Sequence, residues 1–315
     1  MIALSHKSKQ YLLVTLKVFI LGITFWYIYS KVTNADSQTL AALFRSLRPE
    51  KGGSILLFVV LAVTNWALEI VKWKTIITPV KRISFSEASK QSLAALTTSL
   101  ATPNRIGDYG AKAYFFPSKK RKQVLLLNFI ANATQMTTTL LFGSIGLIIV
   151  ISSYSISFST LHMLVFITIL IALGITGFIF KEKELVVKGL SLKNIFTYIK
   201  KLPMPLKRSV WTYSLLRHAC FSFLFLQVLG FFEAEIAISQ AYPLIFAMYL
   251  LVSVVPTLFL LDVVVRGGVA VWLFSFAGVP ELTVLCTVLT MWLLNFVIPA
   301  LIGGFYLITY KPASS

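Results

Sequence analysis

Two acid–base pairs stand where an apolar chain should carry no charge. Asp108 and Lys112 lie four residues apart behind Pro103, and Asp262 and Arg266 lie four apart behind Pro256. Each group interrupts a long apolar region, at 99–112 and at 253–268. Proline halts a helix, and broken backbone with ions at membrane depth is tolerated only inside protein or beside a wet cavity. The chemistry that suits such a site is the binding of an anion. Arg105, Lys112, Arg266 and Arg217 supply positive charge for a phosphate, and Asn104 and Gly107 supply a helix start with accessible backbone. Asn104 is placed to cap a second half-helix that begins near Arg105, and Asp262 to cap the helix carrying Arg266. Asp108, Asp262 and Glu69 are the candidates for balancing these charges or for taking up a coupling proton. The plainer reading is that each pair neutralises itself and the glycines serve helix packing.

Further polar residues recur with helical spacing. Asn128, Asn132, Gln135 and Thr139 fall on one face of a single helix. That stripe reads either as the lining of a path or as hydrogen-bonding glue between helices. Asn65 and Glu69 share a face, and Glu69 can pair with Lys72 or with an arginine of a broken segment. Arg217 lies one-third to halfway into its span, either reaching back to the interface or facing a cavity. The three histidines and two cysteines are too scattered for a metal site or a disulfide framework, and no cofactor motif is present.

The elements that must position these residues are membrane helices. The chain has 315 residues, of which 57% are hydrophobic, and mean hydropathy is +0.83, values that place it among integral membrane proteins. Apolar runs at 12–30, 54–77, 123–150, 159–180, 209–230 and 281–309 are each near the ~20 residues a crossing needs. The broken regions, at 86–117 and 240–278, read as re-entrant hairpins. A helix over 88–102 would reach only about 22 Å, against a hydrocarbon core of about 30 Å. The net charge of +18 fits loops that stay on the cytoplasmic side better than nucleic-acid binding. Lysines and arginines gather around 72–90, 119–122 and 181–208, whereas 151–158 has no charge and 231–239 has only Glu233 and Glu235. All the basic loops share one side if both hairpins return to the face they entered. The basic 31–53 stretch is the one discord, and eight full crossings are the alternative topology. Segment 186–205 reads as an amphipathic helix on the cytoplasmic surface.

The expected fold is therefore all-α and polytopic: about six transmembrane helices plus two opposed re-entrant hairpins in a pseudo-inverted repeat, one domain over 1–315. Both termini are expected in the cytoplasm and the protein in the cell (inner) membrane. Paired broken segments in the two halves of a chain point to a transport site. Segment 99–112, with Thr102, Pro103, Asn104, Arg105, Ile106, Gly107 and Asp108, resembles the membrane domain of lysylphosphatidylglycerol synthase/flippases. The resemblance covers about 10–310 and is closest to the stand-alone flippase-like branch. Asp108 stands where that pattern usually has Glu, and Pro256 lacks the usual following Gly. The resemblance implies movement of phospholipids or related anionic lipids between leaflets; from the residues themselves no catalytic set, cofactor, metal or nucleic-acid partner is expected, and a homo-oligomer is left open. The aminoacyl-transfer domain of the full-length relatives is absent from this sequence, so lysine transfer is not implied. An enzyme or accessory subunit acting on a lipid phosphate is the alternative, and a non-catalytic scaffold a third.

Overall fold

The structure, a computed structural model, describes residue 33 and residues 52–100, 102, 107–154, 192–254 and 259–309. The expected spans at 12–30 and 159–180, the 31–51 stretch, the start of the amphipathic segment and residues 103–106 and 255–258 lie outside the described residues. Pro103, Asn104, Arg105 and Pro256 are among them.

Every regular element among the described residues is helical. Helix α1 is Gly52–Ile76, α2 Phe85–Leu100 and α3 Gly107–Tyr114. A short 3-10 turn, Ser118–Lys120, leads into α4, Arg121–Ser153. Helices α5 (Leu192–Lys201), α6 (Met204–Phe231), α7 (Ile238–Val254) and α8 (Phe259–Ser275) follow. Helix α9 (Glu281–Trp292) runs through a π-helical turn, Leu293–Val297, into α10 (Ile298–Thr309). Four of these are long and apolar enough to cross a bilayer: α1, α4, α6 and the continuous α9–α10 rod. They coincide with the apolar runs expected at 54–77, 123–150, 209–230 and 281–309.

Between them stand shorter arms. Helices α2 and α3 have 16 and 8 residues, and α7 and α8 have 17 each. At 1.5 Å per residue these reach about 12–26 Å, short of a core of about 30 Å. Local chemistry sets their ends. A reciprocal capping box starts α2: the Glu87 N–H donates to the Ser84 hydroxyl at 3.1 Å and the Ser84 N–H to the Glu87 carboxylate at 2.9 Å. Helix α3 is capped by Thr102, whose hydroxyl accepts the Gly107 N–H at 2.7 Å. Pro203 and Pro280 stand at the N-caps of α6 and α9.

The packing is reciprocal between the halves. Helices α2 and α3 pack as one hairpin, and α7 and α8 as another. Helix α4, which follows the first hairpin, packs along α7; α10, which ends the second half, packs along α2. Helices α1 and α6, which precede the hairpins, pack on each other. The partners run antiparallel: Gly143 faces Phe246 and Leu250 while Gly146 faces Pro243 and Phe246. The Thr97 hydroxyl donates to the Ala300 carbonyl at 2.7 Å, and Gly303 lies against Leu93 so closely that a Cβ there would strike the Leu93 carbonyl. Glycine at these crossings lets backbones approach, as membrane packing requires.

Two apolar clusters result, at opposite ends of the spans. One joins Phe58 and Ala62 of α1, Leu224–Phe231 of α6, Val150 of α4 and the faces of α7–α9. The other joins Ile70–Ile76 of α1, Val124–Ala131 of α4, Val210 of α6 and Ile195 of α5. Helix α5 lies in the described part of the amphipathic segment; it buries Ile195 and exposes Lys193, Asn194 and Lys200. Between the clusters, in the middle of α1, α4 and α6, the chain turns polar.

Candidate functional site

A cavity of about 650 Å³ occupies that middle zone. Its wall carries Asn65 and Glu69 of α1, Asp108 and Lys112 of α3, Asn132, Gln135 and Thr139 of α4, Arg217 of α6, and Asp262 and Arg266 of α8. The acid–base pairs of both broken segments thus meet in one space. Met136 of α4 and Ser253 and Val254 of α7 belong to the same wall and are exposed, so the cavity reaches the protein surface between those helices.

The first pair is tightly engaged. The Lys112 ammonium lies 3.2 Å from Asp108, donates to Asn128 Oδ1 at 3.0 Å and stands 4.7 Å over the Trp73 ring. It is only 3% exposed. Asp108 also accepts the Asn128 and Asn132 amides, at 2.6 and 3.2 Å. A buried charge must be paired and hydrogen-bonded, and these two are. Helical spacing on α4 places Asn128 and Asn132 one turn apart, which lets two amides share one carboxylate oxygen. Lys112 therefore acts as an internal counter-ion to Asp108 on the cavity wall. The expectation of accessible backbone at Gly107 is corrected. The residue is buried, its N–H is taken by Thr102, and a Cβ there would meet the Thr98 carbonyl; its role is to seat α3 against α2.

Glu69 is the hub between the halves. Its carboxylate lies 2.7 Å from Lys72, 3.0 Å from Arg217 and 3.9 Å from Lys112. Lys72 counts as a loop charge in the sequence, yet it sits inside α1 and is 1% exposed, with Gln135 Oε1 at 3.4 Å as a further acceptor. Arg217 occupies the midpoint of α6, with its side chain 26% exposed on the cavity wall. His218 lies beside it, stacked on Phe142 at 5.0 Å.

The second half is built differently. Asp262 lies inside α8 and so does not cap it, a further correction. Arg266 pairs with Asp262 at 3.4 Å, and its guanidinium stands 5.9 Å over the Phe296 ring. Phe296 is delivered by the π-helical turn. Pro299 has no N–H to give to the Asn295 carbonyl one turn earlier, so the helix widens there. The freed carbonyl accepts the Trp66 indole N–H at 3.1 Å, and Asn295 Oδ1 accepts the Asn65 amide at 2.9 Å. These bonds tie α1 to the last span across the cavity.

Of the residues expected at the site, Glu69, Asp108, Lys112, Arg217, Asp262, Arg266, Asn132, Gln135 and Thr139 line the cavity. Asn128 lies behind the wall, fully buried. Asn104 and Arg105 lie outside the described residues. Sequence reasoning missed Asn295 and the buried role of Lys72. Pro299 was the available signal for the first, and the Glu69–Lys72 spacing for the second. On the cavity wall three cations (Lys112, Arg217 and Arg266) stand against three carboxylates (Glu69, Asp108 and Asp262), and buried Lys72 adds a fourth positive charge beside Glu69.

A multi-pass helical membrane protein with a charged cavity at mid-depth is the class these observations define. Residues 14–303 match the family described as the lysylphosphatidylglycerol synthase TM region, and the chain belongs to that family. It is a membrane protein of a lipid-handling family. No curated protein matches the chain.

Proposed function

We propose that this protein moves an anionic lipid, a phospholipid or a polyprenyl-phosphate-type lipid, between membrane leaflets without altering it chemically. The observation that carries the reading is the convergence of the charged pairs of both broken segments on one cavity, with a further arginine, Arg217, on its wall. Arg217 of α6 and Arg266 of α8 both face that space, opposite the Asp108–Lys112 pair of the first half. A guanidinium offers a planar fork of donors that fits phosphate oxygens, and in a site shielded from water its charge is felt strongly. The headgroup crosses through the cavity while acyl chains remain in lipid, entering where Met136 and Val254 bring the wall to the surface. Asp108, Asp262 and Glu69 keep the empty site near neutrality, which limits the cost of holding cations at this depth. The setting is the cytoplasmic membrane, with both termini inside.

Purified protein in liposomes tests this. Fluorescent phosphatidylglycerol placed in both leaflets should become fully accessible to a membrane-impermeant reductant when the protein is present, and only half accessible without it. Mass spectrometry should recover the lipid unchanged. Half accessibility with the protein present overturns the reading, and a changed lipid mass moves it to the enzymatic alternative.

A further inference from the structure

We infer that Glu69 holds Arg217 while the cavity is empty and surrenders it to an incoming anion, and that Lys72 is the positioning residue that makes this exchange reversible. The inference rests on the proposed lipid function for the identity of the anion, but not for the exchange itself. A single oxygen, Glu69 Oε2, serves two cations: Lys72 at 2.7 Å and Arg217 at 3.0 Å. The two differ in what else they can reach. The Lys72 side chain is 1% exposed and stays off the cavity wall; that of Arg217 is 26% exposed and stands on it. Lys72 is also held by Gln135 of α4, whose Oε1 accepts from its ammonium at 3.4 Å. Arg217 is under-used, because its buried Nε has no hydrogen-bond partner. An anion with two oxygens completes that guanidinium better than one shared carboxylate oxygen does.

The exchange is feasible only because Glu69 is never stranded. When Arg217 turns to the anion, Glu69 keeps Lys72 at 2.7 Å and Lys112 at 3.9 Å. A buried carboxylate stripped of every partner is strongly unfavourable, so without Lys72 the balance inverts. Arg217 would then be the nearest cation left to Glu69, and the carboxylate would retain it. Lys72 thus favours anion binding without touching the anion. Lys112 cannot replace it, since Asp108 and Asn128 already hold the Lys112 ammonium.

Phenylglyoxal, a small neutral dicarbonyl that adds to unpaired guanidinium groups, reads the state of Arg217 directly. The full chain in detergent is labelled and modification at Arg217 followed by peptide mass spectrometry, in wild type, Lys72→Met, Glu69→Gln and the double variant. Close charge pairs couple strongly enough that Lys72→Met should slow labelling about tenfold and Glu69→Gln speed it about tenfold. The double variant should label at the Glu69→Gln rate, within about threefold. Equal rates in wild type and Lys72→Met, or a double variant slower than Glu69→Gln beyond that margin, overturn the exchange. Should Lys72→Met fail to fold, the double variant, which leaves no unpaired carboxylate at Glu69, carries the comparison. Short-chain phosphatidylglycerol and inorganic phosphate are then added separately to wild type. Protection by the lipid alone supports a lipid headgroup as the anion, and protection by both supports a general phosphate site. Protection by neither, with the variant order intact, refutes the anion reading of the cavity while the Lys72-dependent pairing stands.

Discussion

Replacing Lys112 by methionine separates structure from transport. The substitution keeps most of the side-chain volume and removes only the ammonium. Asp108 then loses its partner at 3.2 Å, and Asn128 loses a donor at 3.0 Å. Breaking a buried ion pair by removing one member costs about 3–5 kcal/mol. The Asp108 side chain is 18% exposed on the cavity and keeps the Asn128 and Asn132 amides, so the lower end applies, about 3 kcal/mol. Glu69 adds little, because Lys72 and Arg217 remain beside it. On the scale of a mid-sized domain this lowers Tm by about 6–12 °C. Arg217→Gln should behave differently. It leaves Glu69 paired with Lys72 at 2.7 Å, so Tm should fall by only about 2–4 °C, as for the loss of one ordinary hydrogen bond, while lipid transport is lost. Thermal unfolding in detergent and flipping in liposomes, measured on the two variants and on Lys112→Met with Asp108→Asn, give the comparison. The double variant should regain most of the lost stability, since neither buried charge then lacks a partner. If Lys112→Met unfolds at the wild-type temperature yet abolishes transport, Lys112 is a headgroup contact and the counter-ion assignment is wrong.

Gly303→Val should disrupt the contact between α10 and α2, because even a Cβ meets the Leu93 carbonyl; expression of folded protein, read by size-exclusion chromatography, should collapse, whereas the same change at exposed Gly110, which has open space around it, should be tolerated. In a background lacking Cys220 and Cys286, Ser253→Cys should react with a small water-soluble thiol reagent, since Ser253 is exposed on the cavity wall, and prior addition of phosphatidylglycerol should slow the reaction. Reporter fusions after Lys122 and Lys201 should read as cytoplasmic and a fusion after Ala237 as external, as the distribution of loop charges requires; an external reading at Lys122 would exclude the first hairpin.

The four long rods were legible because each is an apolar run of bilayer-spanning length that one or two internal charges do not break, and the stripe on α4 because its polar residues repeat at the helical period. The hairpin arms were legible from proline and from the acid–base pairs. What escaped depended on neighbours far along the chain. Lys72 follows an apolar run and precedes Trp73, which is what an interfacial lysine looks like. Only the contact with Gln135, sixty-three residues away, and the shared carboxylate of Glu69 make it internal. Gly107 was read as open backbone, but the crossing of α2 over α3 closes it, and no local pattern encodes a crossing. The meeting of the two pairs has a topological cause. Helix α4 leaves the first hairpin and packs on the first arm of the second; α10 leaves the second half and packs on the first arm of the first. That reciprocal exchange pulls both broken segments toward one axis. Asp108–Lys112 and Asp262–Arg266 then face a common cavity although 154 residues separate them, a spacing printed in the sequence by repetition of the motif and realised only by the packing of the halves.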